Sequence, residues 1–376
     1  MPDLLTALTF DDVLLKPRYA GFSRAEINLG VQITPHVRLR APLMSAPMDT
    51  VTESELAIAL AGIGGIGIIH RNLAIADQVA AVKKVKAKKL PVGAAVGSNP
   101  GYEERVKALI DAGVDVLVID SAHGHALKVI TALTYIKNQH RVDVIAGNVA
   151  TAEGAKALIA AGADALRVGM GPGAICSTRI VSGIGVPQLT ALLETVRVAR
   201  HHNVPVIADG GITYSGDITK ALAAGASCVM LGRLFAATYE SPGKTHMLKP
   251  NEVPRRFQSI VDGSAEYCFK EYRGMGSVAA MEQGLSISSE DEFHGKNYQN
   301  DVLVAEGVEG LVPCAGSVAE VCAQLLGGVQ SGMYYVGAKT IPDLWETAEF
   351  MRITQASLHE SHPHDLLVTN PGKNYG

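Results

Sequence analysis

Cys176 closes a glycine-rich run, Gly169-Met170-Gly171-Pro172-Gly173-Ala174-Ile175, and Ser177, Thr178 and Arg179 follow it directly. A thiol held in a tight turn beside two hydroxyls and a guanidinium is suited to attack an electrophilic carbon. The same residues also fit a structural loop around a buried, inert thiol, and residue types alone leave both readings standing. A second run, Asp209-Gly210-Gly211-Ile212, offers a carboxylate that can accept both vicinal hydroxyls of a ribose, and glycines that admit a phosphate to backbone N–H groups. Its plainer reading is a turn with an Asp capping the next helix. Gly232-Arg233 can grip phosphate through a guanidinium fork, or Arg233 can simply be solvated. Asp120-Ser121-Ala122-His123-Gly124-His125 carries two imidazoles and a carboxylate but no third ligand nearby. That is a weak metal signature, and a polar wall for a cofactor is the better reading. His359, His362 and His364 read as surface or hydrogen-bonding residues rather than ligands. The lysines between Lys83 and Lys89 lack interleaved aromatics and read as a solvated helix face.

These runs need elements to position them. Short apolar segments predict strands at Leu43–Ala46, Ile66–Ile69, Val92–Val96, Val116–Ile119, Asp143–Ala146, Ala165–Val168, Val204–Ala208 and Cys228–Leu231. Helical patterns lie between them at Glu53–Ala61, Glu103–Ala112, Ala152–Ala161, Leu189–His201 and Ile218–Ala224. Three close on Ala-Gly (Ala112-Gly113, Ala161-Gly162, Ala224-Gly225), which suits a left-handed helix end. Eight such units predict an α/β fold, a (β/α)8 TIM barrel, with an open doubly wound sheet as the alternative, since strand order is not visible in sequence. The polar and glycine-rich runs all follow strands: Asp49, His70-Arg71-Asn72, Asp120 to His125, Gly147-Asn148, the cysteine loop, Asp209-Gly210-Gly211 and Gly232-Arg233. One barrel face would collect them. Beyond the eighth unit, residues 250–310 show little periodicity, as expected of a lid or a partly disordered stretch. Helical patterns return at Val318–Leu326 and Ile341–Ile353, and the tail is expected to be mobile.

Composition narrows the class. The 376 residues are 47% hydrophobic, enough for a large core, and the formal charge of -4 argues against a nucleic-acid surface. No basic leader or bilayer-length apolar run is evident, so no membrane association is expected. The five cysteines show no C-x-x-C and no paired framework, which predicts free thiols and a cytoplasmic location.

Taken together, the sequence resembles the IMP dehydrogenase/GMP reductase family over essentially its whole length. The matching runs include Leu8 to Leu15, Pro47-Met48-Asp49-Thr50-Val51-Thr52-Glu53, Gly64 to His70, the cysteine loop, Gly183-Ile184-Gly185-Val186-Pro187-Gln188 and Ala208 to Ile212. They continue with Glu271-Tyr272-Arg273-Gly274-Met275-Gly276-Ser277, Glu306 to Gly310 and Glu360-Ser361-His362. The resemblance implies one catalytic barrel domain, residues 1–376, with a flap at about 278–310, usually assembled as a homotetramer. It also implies a purine 5′-monophosphate substrate and a nicotinamide cofactor. Cys176 would attack purine C2, with Thr178 and Glu306 as a proton-relay pair. Asp209 would hold the ribose, Gly211, Gly232 and Tyr272 the phosphate, and Met48 and Gly274 the purine; Arg233, by its own charge, is a further candidate for the phosphate. Asp120, Ser121, Asn148 and Arg167 would meet the nicotinamide half. Carbonyls of Gly171, Gly173 and Cys176 would bind K+, completed by Glu360, Ser361 and His362 of a neighbouring subunit. The CBS modules that many members insert after the second unit are absent, because Lys83–Leu90 runs straight into Pro91-Val92-Gly93.

Three positions depart from the family pattern. Glu292-Phe293 falls where dehydrogenases carry a water-activating Arg-Tyr pair, and no Arg occurs between Arg273 and Arg352. Ala174 stands where a phosphate-binding Ser is usual, and Arg233 replaces a Ser or Gly. The leading expectation is NAD-dependent oxidation of IMP to XMP through a Cys176 adduct. One alternative is NADPH-dependent reduction of GMP, which needs no activated water. The other is a nucleotide-binding paralogue with little turnover.

Overall fold

Strands that are apolar on both faces can be buried only between two layers, and a parallel sheet ringed by helices supplies both. In the computed structural model, which describes residues 4–287, 304–366, 368, 369 and 372, the chain takes that solution. It begins with β1 (Val13–Leu15) and a hairpin of β2 (Val31–Gln32) and β3 (Arg38–Leu39). Eight strands then alternate with helices: β4 (Leu43–Ser45), α1 (Ser54–Ile63), β5 (Ile66–Ile69), α2 (Ile75–Lys86), β6 (Val92–Val96), α3 (Tyr102–Asp111), β7 (Val116–Asp120), α4 (Leu127–Gln139), β8 (Asp143–Val149), α5 (Ala152–Ala160) and β9 (Ala165–Val168). After the short α6 (Thr178–Val181) come α7 (Gln188–His201), β10 (Val206–Asp209), α8 (Ser215–Ala223) and β11 (Cys228–Leu231).

Each of these strands pairs in parallel with the next in sequence, and β11 closes on β4. The closure excludes the open-sheet alternative: this is a (β/α)8 barrel. All eight predicted strands lie in it. Gly113, Gly162 and Gly225 take φ values of 85°, 97° and 106°, the left-handed helix end expected at those three positions. α2 leads to β6 through only the five residues 87–91, so no inserted module separates them.

The eighth unit departs from expectation. The stretch beyond β11 does not follow a completed unit but interrupts it. α9 (Arg233–Ala236), β12 (Thr245–Leu248), β13 (Tyr267–Arg273), α10 (Val278–Ser286) and β14 (Glu309–Pro313) come before α11 (Val318–Val336). It is α11 that packs between α8 and α1 and completes the ring. Nor is residues 250–310 structureless: β12, β13 and β14 form an antiparallel sheet over the barrel mouth. The helix expected to end at Leu326 runs on to Val336. Its apolar face continues through Val329, Met333 and Val336, and Gly328 and Gly332 let α8 approach. A Cβ at Gly328 would lie 2.1 Å from Ser215 Oγ. The helix predicted over Ile341–Ile353 stops at Thr347 as α12 (Ile341–Thr347). The rest becomes β15 (Phe350–Arg352), because β1 offers it an antiparallel partner. The last helix is α13 (Gln355–Glu360).

The cysteine expectation is also corrected. Cys268 on β13 and Cys314, just past β14, face one another across the paired strands, 5.4 Å apart at Cα, and form a disulfide. Spacing in sequence gave no sign of this, because the antiparallel register alone brings the two together. Cys176, Cys228 and Cys322 remain free. Burial pushes the Cys228 thiol far up and the Cys322 thiol up to about 12, and Cys176 is the exposed one of the three free thiols. Among the described residues, no helix is long and apolar enough to cross a membrane.

Candidate active site

The loop after β9 carries Cys176 at the C-terminal mouth of the barrel. The strand can turn sharply there because Gly169 has φ 151°, and a Cβ at that position would lie 2.0 Å from Asp209 O. Cys176 N donates to Gly173 O (3.1 Å), which rounds the loop. The far side of the loop is stitched to the return segment of the insertion. Ser177 N donates to Glu306 O (3.0 Å) and Val308 N to Ile175 O (3.0 Å), while Glu306 N donates to Gly276 O (3.1 Å). This backbone pairing delivers Glu306 to a loop distant in sequence. Cys176 Sγ donates to Thr178 Oγ1 (3.2 Å), and Thr178 Oγ1 donates to Glu306 Oε2 (2.9 Å). The three groups form a directed chain whose terminal acceptor is a carboxylate.

A second polar assembly crosses the barrel mouth. Asp209, at the end of β10, accepts Arg167 Nε (2.9 Å) and Asn148 Nδ2 (2.8 Å), both through Oδ2. Arg167 Nη1 reaches Asp120 Oδ1 (2.6 Å), and Arg71 lies 3.7 Å from Asp120 Oδ2. Burial alone would push the Arg167 guanidinium down, but Asp209 and Asp120 on either side outweigh it and hold it cationic. Asp209 Oδ1 has no partner among the described residues. Ser121 turns back on its own loop, its Oγ 3.3 Å from His123 O, and its carbonyl accepts Asn148 N (2.7 Å).

The third wall combines the first and last barrel strands with β13. A Cβ at Gly232 would lie 2.7 Å from Tyr272 Oη and 3.3 Å from Met48 Sδ, so these three residues border one space. Burial pushes the Tyr272 phenol well above its ordinary value, and the nearby Asp209 and Cys176 add to this, so it stays a neutral donor. Arg233, half-buried at the start of α9, adds positive charge beside it. Gly211 (φ 75°) faces Pro172 and Gln188, and Gly274 approaches Gly307 and Ile175 O. Ala174 is exposed at the tip of the cysteine loop.

The structure therefore brings Cys176, Thr178, Glu306, Asp209, Arg167, Asn148, Asp120, Met48, Gly232, Tyr272 and Gly274 to one mouth. His362 packs edge-on to Tyr214 (6.3 Å between rings), and no described hydrogen bond joins Glu360, Ser361 or His362 to Gly171 or Gly173 of the same chain. Glu292 and Phe293 lie outside the described residues.

Residues 7–364 match the sequence model of a family described as IMP dehydrogenase / GMP reductase domain. The chain belongs to this family. It is 42% identical to the inosine-5′-monophosphate dehydrogenase of Borreliella burgdorferi, with 97% of this chain and 99% of that one covered. It is 41% identical to the enzyme of that name from Cryptosporidium parvum, with 98% and 97% covered. A relative of the same name from Rhodopirellula baltica is 39% identical, with 98% and 88% covered. That last alignment extends over 496 positions against 376 residues here, so this member of the family lacks a segment the relative has.

Sequence reasoning missed one feature of this family member. In the sequence Asp49 stands only as a polar residue after a strand and as part of a matching run, and Arg273 only as part of a matching run. In the structure Arg273 grips Asp49 with both Nε (3.1 and 3.2 Å) and Nη2 (2.7 Å). The available signal is Asp49 itself, a buried carboxylate four residues past the fully buried strand β4, which requires a cationic partner.

Proposed function

We propose that this chain is a single catalytic unit that oxidises IMP at C2 to XMP, with NAD as hydride acceptor. The observation that carries the reading is the Cys176–Thr178–Glu306 chain, set beside a carboxylate with a free oxygen and a glycine-lined, cationic corner. Three relatives at 39–42% identity that carry the dehydrogenase name support it.

The chain's own residues divide the work. Tyr272, Arg233 and the backbone at Gly211 and Gly232 hold phosphate, and the free Asp209 Oδ1 accepts a ribose hydroxyl. Met48 and Gly274 border the purine and set C2 against Cys176 Sγ. The thiol proton leaves through Thr178 towards Glu306, and the thiolate adds to C2. Asn148 Oδ1 and Ser121 Oγ, with Asp120 and Arg167 behind them, supply a polar wall that fits a carboxamide. NAD, when bound there, takes up the hydride expelled from C2. Glu306 is only half-buried, so its proton exchanges with solvent. It is then free to draw a proton, through Thr178, from the water that cleaves the Cys176 thioimidate. General-base help of this kind contributes about a hundred- to ten-thousandfold.

Potassium fits the cysteine loop. The carbonyls of Gly171 and Cys176 accept no described hydrogen bond, and that of Gly173 accepts only Cys176 N. Because the tail of the same chain does not reach them, Glu360, Ser361 and His362 would come from a neighbour in a homotetramer. Such an assembly would also cover Ile180 and Ile184 (88% and 57% exposed) beside the loop.

The test is product analysis with two substrate pairs. IMP plus NAD should yield NADH and XMP at steady state. Consumption of NADPH with GMP, and no XMP from IMP, would assign the reductase reaction. Nucleotide binding with neither reaction would leave only the binding paralogue.

A further inference from the structure

The Asp49 carboxylate is 3% exposed. Besides the three contacts from Arg273, its Oδ2 accepts Asn72 Nδ2 (2.8 Å), and Asp49 N lies 3.4 Å from Met275 Sδ. Arg273 N donates to Thr50 Oγ1 (3.2 Å), and Arg273 Nη2 also reaches Gln283. Asn72 donates in addition to Ala280 O (3.2 Å). Four segments converge on one carboxylate: the ends of β4 and β5, the end of β13 and the helix α10. None of these groups touches Cys176, Thr178 or Glu306. Yet Asp49 directly follows Met48, and Arg273 stands between Tyr272 and Gly274. On a strand, alternate side chains point to opposite faces, so Arg273 faces away from the pocket that Tyr272 borders.

We infer that Asp49, Arg273 and Asn72 form a positioning clamp that fixes the spacing between the Met48 wall and the Tyr272–Gly274 wall of the nucleotide pocket. The inference rests on the pocket assignment proposed above. A buried carboxylate held by a guanidinium fork and an amide has one low-energy arrangement. The two walls are consequently preset before nucleotide enters. Without the clamp, nucleotide binding itself has to order β13 against β4, and that cost appears in affinity. The thiol relay hangs on separate backbone bonds and is not disturbed.

The variants are Arg273→Lys, which keeps the charge but loses the fork, the singles Asp49→Asn and Arg273→Gln, and their double variant Asp49→Asn/Arg273→Gln. Thermal unfolding establishes that each is folded. If a single variant does not fold, the double variant, which strands no buried charge, carries the test. The readouts are IMP KM and kcat, and alkylation of Cys176 by iodoacetamide with and without IMP. The expected result is an IMP KM raised roughly ten- to a hundredfold, with kcat within about threefold of the parent. Alkylation without nucleotide should keep its rate, and protection should require correspondingly more IMP. The double variant should be less impaired than the product of the two single effects. Folded variants with unchanged KM and unchanged IMP protection overturn the clamp, as does a fall in kcat at constant KM. If the parent binds IMP without oxidising it, the reaction assignment fails. The protection titration still decides the clamp in that case.

Discussion

In the proposed mechanism a thiol, a hydroxyl and a carboxylate in series give the exposed Cys176 an outlet for its proton and so make it a nucleophile. Cys176→Ala should abolish NADH formation from IMP, including any first-turnover burst, because no other group forms a bond to C2. IMP should still bind, since ribose and phosphate contacts lie elsewhere. A burst of undiminished size in stopped flow would remove Cys176 from the mechanism. Glu306→Gln should lower steady-state turnover by about a hundredfold or more and slow the burst less, since the exposed Cys176 thiol can also lose its proton to solvent while the hydrolytic water needs the carboxylate. A burst and turnover that fall together would place Glu306 in the first step alone. The sequence displays Cys176 and Thr178 together because only Ser177 lies between them. Glu306 lies 128 positions from Thr178, and only the family pattern points to it. Asp49 and Arg273 are 224 positions apart, each unremarkable until the fold joins them. Contacts of that range are set by tertiary packing, which no local pattern reports.

The antiparallel sheet over the barrel mouth shows how an element carries site residues. β13 ends in Tyr272 and Arg273, β14 follows Glu306 closely, and the Cys268–Cys314 disulfide joins the two strands across a separation of 46 residues. In the chain-entropy description, closing a loop of that size contributes roughly 4 kcal/mol. Cys268→Ser with Cys314→Ser should therefore lower Tm, and dithiothreitol should lower the parent's Tm but not the variant's. A parent Tm indifferent to reductant would show that the strands hold without the bridge. A second tie sits at the other end of the barrel. His36 N donates to Asp143 Oδ2 (2.8 Å), and His36 Nδ1 meets Asp143 Oδ1 (2.8 Å) at the start of β8. The hydrogen bond to Asp143 raises the imidazole above its usual 6.5. Burial of Asp143 acts upward, but the nearby Thr34 hydroxyl and the hydrogen bonds from His36 outweigh it and hold the carboxyl below 3.8. The raised imidazole stabilises fully below 6.5 and loses its effect as pH rises through the folded value. The lowered carboxyl stabilises above 3.8 and loses its effect as pH falls. The Tm difference between parent and His36→Ala should therefore be largest between about pH 4 and 6.5 and shrink on both sides. A flat difference would show that the pair does not titrate with folding.

At the scale of the whole molecule, the barrel was the legible part and the eighth unit was not. Strands such as Val116–Asp120 are buried along almost their entire length, so their apolar runs stand out, and Ala-Gly helix ends mark the rhythm. The eighth helix was hidden because some 80 residues intervene between β11 and α11 and because Gly327, Gly328 and Gly332 weaken its helical pattern. In the proposed homotetramer the cation site and the tail would meet between subunits. The loop carbonyls of Gly171 and Cys176 are free, while the tail of the same chain rests against Tyr214. A large monovalent cation would therefore gain its last ligands only from another subunit, and cation activation and oligomerisation should be linked. K+ should raise turnover of the parent relative to choline at equal ionic strength. Ile180→Asp places a charge on an 88% exposed apolar side chain beside the loop. It should shift sedimentation towards smaller species and flatten the K+ titration in the same samples, while IMP still protects Cys176 from alkylation. Cation-independent turnover in the parent would remove the loop site. A dissociated variant that keeps the full K+ response would place every cation ligand within one chain, and the tail would have no part in it.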